Sequence, residues 1–412
     1  MPDFFYNGAG RLRSVWRLAA FTVAYMAATS AGFVGVDVAA ALVLPPATYR
    51  WLLIESWLGF AVQSIVLFVP AALVGWGCAR FAEELPWRSL GWAPHRGWMR
   101  DALFGLLVGA AAVCLAALVG LAAGGYSFRL VGGADAAAVA RTLVTSAVVF
   151  MLGAAAEEML FRGYPFQTLL RSWPVWAALL PVSLPFALVH LANPNVAPGF
   201  TFLNTALAGV WLGVAYWRTR SLWFPFAAHA GWNWAQGAVL GSPVSGITKI
   251  TPDPLLRFAD SGPHWLGGGA YGIEGGAACT LALVAATLFV WRTRLLSATP
   301  ELRQYTDGEN PNPDAGVAPS VVRADAAAAG AGARVHLVYL RPEGMLITKK
   351  QYADWRQIQD EHENFMTSLG PFDEEDVLDF FENQYGADEA RWGVTRAEIR
   401  RFMASDETTL SL

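Results

Sequence analysis

The sequence predicts an all-α polytopic membrane protein of about eight transmembrane helices, followed by a small C-terminal soluble α+β domain. Three observations carry this. First, 55% of the 412 residues are hydrophobic and only 15% are charged, where a soluble protein carries about 25% charged residues. Second, the charge deficit falls before residue 297. Third, arginines alternate from one connecting segment to the next, as expected when successive loops face opposite sides of a membrane.

A span needs about 20 mostly apolar residues. Eight segments qualify: 16–40, 51–78, 102–124, 136–159, 174–191, 200–217, 222–241 and 275–293. The first apolar run, Leu18 to Leu44, is too long for a signal-peptide core of about 7–15 residues, so it is expected to remain as the first span. Between Ser172 and Trp217 there is no Asp, Glu, Lys or Arg. That stretch holds two helices, with Asn193-Pro194-Asn195 and Pro198-Gly199 supplying the turn. Asp37 and Glu55 are expected near the outer interface.

Arg11, Arg13 and Arg17 precede the first span. Arg80, Arg88, Arg96 and Arg100 surround the second loop, Arg162 and Arg171 follow the fourth span, Arg218 and Arg220 the sixth, and Arg292, Arg294 and Arg303 the eighth. The intervening loops hold Arg50, Arg129, Lys249 and Arg257. Basic short loops stay cytoplasmic. The expectation is an integral, multi-pass protein of the plasma (inner) membrane, surrounded by lipid, with both termini cytoplasmic.

The membrane domain is therefore expected over 1–296. Residues 297–333, rich in Pro, Gly, Ala and acidic residues, read as a flexible linker. Residues 334–412 read as a small cytoplasmic domain. In it, Val335–Leu340 and Met345–Thr348 predict a hairpin turning at Pro342 and Gly344. Three short helical patterns follow, the last opening on the capping box Thr395-x-x-Glu398. Fewer than about 80 residues bury a marginal core, which points to docking either on a protein partner or on the membrane domain.

A net charge of −4 offers no basic field for nucleic acid. Cys78, Cys114 and Cys279 lie scattered in apolar sequence, without zinc-ribbon spacing or a disulfide framework, and are expected as buried thiols. His95, His264, His336 and His362 fall in loops or in the soluble tail and are assigned no role.

Three motifs lie within the uncharged stretches: Glu157-Glu158-x-x-x-Arg162, Phe186-x-x-x-His190 and His229-x-x-x-Asn233. Ionisable groups in a bilayer cost several kcal/mol each and mark functional sites. Each motif contains an i,i+4 pair, so its polar groups share one helical face. At about 1.5 Å per residue, Glu157 and His190 both lie some 24 Å from the turn near Pro174, at nearly equal depth. His229 and Asn233 reach the same layer from the turn near Arg220.

Adjacent helical residues point about 100° apart. Glu158 is i,i+4 to Arg162 and pairs with it, which leaves Glu157 to face a cavity as general base or acid. His190 joins Glu157 in activating water. His229 and Asn233 are placed to stabilise the oxyanion of a tetrahedral intermediate, and Phe186 packs against His190. Trp232 and Trp234 are expected chiefly in the core.

At these residues the chain resembles the CPBP family of CAAX prenyl proteases and bacteriocin-processing or self-immunity proteins, also called the ABI family. The family pattern EExxxR, FxxxH, HxxxN is matched in order by EEMLFR at 157–162, FALVH at 186–190 and HAGWN at 229–233, over a motif core of about 140–240. The resemblance implies an eight-helix intramembrane glutamic endopeptidase with its cavity open to the cytosol. It implies that Glu157 is the catalytic glutamate and His190 its partner. His229 and Asn233 would be the oxyanion stabilisers, and Glu158 and Arg162 the supporting pair.

The function expected is hydrolysis of peptide bonds in a peptide or protein substrate near the cytoplasmic membrane face, with no cofactor. The alternatives are a zinc-dependent protease using Glu157, His190 and His229, and a non-catalytic membrane immunity or scaffold protein. No HExxH stands in the sequence to favour zinc.

Overall fold

A computed structural model describes residues 4–6, 11–130, 135–196, 199–306, 334–340, 344–352, 357–358, 361–362, 364–386, 388–389 and 392–412. The chain divides into two compact units, Met1–Asn312 and Pro313–Leu412.

The first unit is a helical bundle. In chain order it holds α1 (Ser14–Val43), the short α2 (Pro46–Arg50), α3 (Trp57–Ala82), α4 (Trp98–Ala122), α5 (Ala136–Phe161), α6 (Tyr164–Leu170), α7 (Val175–His190), α8 (Phe200–Thr219), α9 (Trp223–Trp234), α10 (His264–Gly267), α11 (Ala277–Arg292) and α12 (Pro300–Thr306). Among the described residues, five segments are long and apolar enough to cross a membrane: α1, α3, α4, α5 with α6, and α8.

The other three expected spans are shorter. Helices α7 and α11 have 16 residues each and α9 has 12. Sixteen residues rise about 24 Å, less than the roughly 30 Å hydrocarbon layer. The shortening has local causes. Pro174 starts α7, the glycine-rich run 267–276 folds into tight turns before α11, and α9 passes into a wider π-helical turn, Ala235–Val239.

Helix α9 is held close to α4. A Cβ on Gly109 would lie 1.9 Å from the Ala228 carbonyl oxygen, one on Gly105 2.4 Å from that of Phe224, and one on Gly231 2.4 Å from that of Leu106. Gly105-x-x-x-Gly109 is thus a small-residue seam that brings two helix backbones together, a common device within membranes. Helix α5 packs between α3 and α9, and α7 against α8.

The arginine-bearing loops meet at one end of the bundle. There the Glu83 carboxylate, 1% exposed, binds Arg17 and receives Arg171 Nε at 2.9 Å and Nη2 at 2.7 Å. Burial pushes the Glu83 carboxyl up, but the two guanidinium groups outweigh it and hold it below the usual carboxylate range. At the same end Arg88 binds Glu301, Arg218 donates to the carbonyls of Val290, Thr293 and Leu296, and His95 Nε2 lies 3.2 Å from Ser221 Oγ.

At the opposite end β1 (Tyr126–Leu130) pairs antiparallel with β2 (Leu256–Asp260). Neither strand is foreseen from the sequence. Asn204 donates there to the carbonyls of Glu274 and Gly276, and Asn195 to Gly246. Asp37 accepts from Tyr49 at 3.2 Å. Pro198, expected in the turn before α8, lies outside the described residues.

Two further expectations are corrected. Residues 300–306, assigned to the linker, form α12, which packs on the first unit through buried Leu302 and Thr306; the rest of that segment, 307–333, lies outside the described residues. Of the three cysteines, Cys279 alone is buried, while Cys78 is half-buried and Cys114 exposed on the apolar outside of α4.

Among the described residues, the second unit is an antiparallel sheet of order β5-β3-β4-β6 with two helices. Its elements are β3 (Val335–Leu340), β4 (Gly344–Thr348), β5 (Phe365–Phe372), α13 (Glu374–Tyr385), α14 (Arg396–Ala404) and β6 (Thr409–Ser411). The β3–β4 hairpin pairs as its apolar alternation predicts, with Pro342 outside the described residues. Thr395 and Glu398 form the capping box at α14. Strands β5 and β6 were not expected, and β5 precedes the two named helices where helical pattern was read. Val335, Leu337, Ile347, Phe381, Trp392 and Ile399 form the core.

Candidate active site

The last turns of α5 present the two adjacent glutamates to different surroundings. Glu158 is fully buried, and its Oε1 accepts from Arg162 Nη1 at 3.1 Å. The same oxygen also accepts from His229 Nδ1 at 3.0 Å. Glu157, one residue earlier, turns instead into a cavity of about 260 Å³, and its side chain is 33% exposed.

Arg162 is held on three sides. It pairs with Glu158, donates through Nη2 to the Gly209 carbonyl at 3.1 Å, and lies over the Phe186 ring at 4.5 Å. Gly209 itself sits against Ser183, so α7 and α8 approach closely here. Phe186 is therefore more than packing for one imidazole. It contacts the guanidinium, meets Phe161 edge-on at 5.2 Å, and its ring centre is 4.6 Å from that of His190.

His190 closes α7. Its Nδ1 is 2.7 Å from the Phe186 carbonyl oxygen. A carbonyl only accepts, so the proton is on Nδ1 and Nε2 is left to face the cavity. His229, on α9, is oriented in the same way by the Glu158 carboxylate. The two Nε2 atoms converge on one oxygen of Glu157, at 3.8 Å from His190 and 3.7 Å from His229. Three groups from three helices thus meet at one point of the cavity wall. Asn233, one turn beyond His229, lines the same cavity.

Helical spacing alone pairs Glu158 with Arg162 and with nothing else. The structure adds its bond to His229, which no spacing within a single motif reveals. It also adds a second carboxylate to the cavity wall. Glu274 accepts from Trp232 Nε1 at 3.2 Å, from the Ser245 N–H at 2.6 Å and from Ser245 Oγ at 2.9 Å. Its signal in the sequence was an ionisable residue within the otherwise uncharged run before α11. Trp232 lines the cavity, whereas Trp234 donates to the Leu143 carbonyl outside it.

One carboxylate oxygen and two imidazole nitrogens are donor types that zinc accepts. Among the described residues, however, no group of three His, Cys, Asp or Glu side chains is disposed to hold a metal ion.

A bundle with several membrane-length apolar helices and a carboxylate–histidine cluster inside it defines the class: an integral membrane protein with ionisable groups gathered around an internal cavity. Residues 139–235, which hold all three motifs, match the family model described as Type II CAAX prenyl endopeptidase Rce1-like. The match supports the CPBP, or CAAX-protease, family for this segment. No curated protein and no solved structure matches the chain.

Proposed function

We propose that the protein is an intramembrane endopeptidase in which Glu157 and His190 activate a water molecule. The observation that carries this reading is the convergence of His190 Nε2 and His229 Nε2 on one Glu157 oxygen, with both Nδ1 atoms already committed. The cluster presents acceptors to its centre. A water there donates one proton to the Glu157 carboxylate and the other to an imidazole, which turns an oxygen lone pair toward the cavity.

In the proposed reaction the water oxygen adds to the carbonyl carbon of the peptide bond and Glu157 takes the proton. The developing oxyanion accepts from the Asn233 amide and from His229, which takes a proton from solvent onto Nε2 before the attack and returns it on product release. The proton held by Glu157 passes to the amide nitrogen as the C–N bond breaks, and the products are a carboxylate and an amine. Glu158 and Arg162 are positioning residues that fix the tautomer and aim of His229, in the way that a buried carboxylate orients a catalytic imidazole.

Terminal-peptide mapping of membranes carrying wild type or Glu157→Gln tests this reading. New termini confined to wild type are expected. Identical maps at equal expression, with a substrate-bearing host, would favour the non-catalytic alternative. The zinc-dependent alternative uses the same three groups and predicts loss of cleavage after chelation and its return with added zinc.

A further inference from the structure

We infer that Glu274 is a specificity-determining residue, and that the substrate presents a positively charged group, an amine or a guanidinium, to its carboxylate. The inference deepens the hydrolase reading and rests on it for the substrate. Its starting point is the charge of the cavity.

Glu157 and Glu274 both line the cavity, and among the described residues no Lys or Arg does. Behind the wall, Glu158 and Arg162 pair with each other, so they supply no net countercharge. The two imidazoles face Glu157. Glu274 is held otherwise. Its Oε1 accepts from Trp232 Nε1, and its Oε2 from the Ser245 N–H and Oγ. Both oxygens accept, as those of a carboxylate do, but each of these donors is neutral. They fix the aim of the group and leave its charge unanswered. A charge taken out of water is costly without an opposite one, and a bound cation supplies it.

The backbone holds that aim as well. The Glu274 carbonyl accepts from Asn204 Nδ2 at 2.7 Å, and the Ile273 N–H donates to Ser242 Oγ at 3.2 Å. At Gly272 φ is +94°, and a Cβ there would lie 2.2 Å from the Pro243 carbonyl oxygen, so the turn requires glycine. A carboxylate fixed at both ends loses little freedom when a ligand binds.

Helix α9 relates Glu274 to the reaction. Trp232, which Glu274 binds, precedes Asn233, the proposed oxyanion donor. Adjacent helical residues point about 100° apart, which sets Glu274 beside the reacting carbonyl and not at it. The group it reads belongs to a residue close to the scissile bond: a Lys or Arg side chain, or a free amino terminus. Elsewhere the wall includes Phe60, Phe150, Leu212 and Leu283. The segment that fits is apolar and carries a basic group.

The test measures binding by the full-length Glu157→Gln protein in neutral detergent. That variant does not cleave in the proposed mechanism, and it leaves Glu274 as the only carboxylate among the described lining residues. The probes are dye-labelled apolar peptides of equal length: one acetylated with a central Lys, one acetylated with norleucine in its place, and one with norleucine and a free amino terminus. Fluorescence anisotropy is expected to show the Lys peptide, the free-amine peptide or both binding at least about tenfold more tightly than the acetylated norleucine peptide. Which of them gains tells side chain from terminus. The preference should vanish when Glu274→Gln is added, with the norleucine peptide bound as before, and should persist with Ser245→Ala, which keeps the charge. Equal binding of all three peptides, binding of none, or a preference that survives Glu274→Gln would overturn the proposal. The comparison of peptides needs no change at Glu274, so it decides even where that variant fails to fold. A basic preference with identical peptide maps would sink the hydrolase reading alone; new termini without a basic preference would sink this proposal alone.

Discussion

Replacing each of the two adjacent glutamates with glutamine separates chemistry from support. Glu158→Gln removes the charge that faces Arg162 at 3.1 Å and His229 at 3.0 Å in a site with no exposure. Breaking a buried ion pair on one side costs about 3–5 kcal/mol, because the remaining charge is left uncompensated. Stability and activity should therefore fall together. Glu157→Gln removes a carboxylate that is one-third exposed and whose nearest basic nitrogens, at 3.7 and 3.8 Å, lie beyond hydrogen-bond range. Its effect on stability should be within about 1 kcal/mol. Cleavage should fall by at least the 10²–10⁴-fold, roughly, that a general base contributes. Tryptophan fluorescence during denaturant unfolding in detergent reads the first quantity, and peptide mapping reads the second. A Glu157→Gln protein as destabilised as Glu158→Gln, or one that still cleaves at the wild-type rate, would refute this division of roles.

Three more outcomes are expected. Gly109→Ala gains about 1 kcal/mol of helix propensity but sets a Cβ against the Ala228 carbonyl, an overpacking cost of about 1–3 kcal/mol; unfolding should come earlier and cleavage should drop as His229 moves, whereas Gly77→Ala, with open space at its Cβ, should show only the gain. Glu83 has a carboxyl pKa held below the unfolded value of about 4.3, so its contribution is present above that pH and lost as pH falls through the lower folded value; fluorescence-monitored unfolding between neutral and strongly acid pH should show wild type losing stability in that window and Glu83→Gln, weaker at neutral pH, losing less there. Under the glutamate-water mechanism a zinc chelator should leave cleavage unchanged, and loss restored by zinc would replace that mechanism with the metal one.

Much of the site was legible because a helix imposes a short-range rule. The i,i+4 spacing that pairs Glu158 with Arg162 is local, and so is the 100° turn that sends Glu157 elsewhere. The rise per residue placed Glu157 and His190 at one depth. What the sequence withheld are contacts between elements. The bond from Glu158 to His229 spans α5 and α9, and no pattern within either helix announces it. Glu274 reaches the cavity only because the glycine-rich turns before α11 fold back over it. Span lengths were misjudged where apolar sequence runs through Gly, Pro or a π turn without a change in polarity, as around Ala235–Val239. Strands β1 and β2 are five residues each and gain their stability from pairing with one another, which composition does not record.

The close approach of α9 to α4 links these levels. His229 donates from Nδ1 to Glu158 only if α9 comes within backbone contact of its neighbours, and Gly105, Gly109 and Gly231 permit that approach. Glu158 is retained in a dry site because Arg162 and His229 both donate to it. Arg162 in turn is retained because Glu158, the Gly209 carbonyl and the Phe186 ring surround it. Each polar group in this layer would be costly alone; Glu158 and Arg162 pair within one motif, and His229 of another motif and the Phe186 ring of the third complete their surroundings. The layer therefore explains why three motifs on separate helices occur together. Without the first motif, His229 would lose the carboxylate that orients it, and without the second, Arg162 would lose the ring it lies over, whatever the chemistry at Glu157.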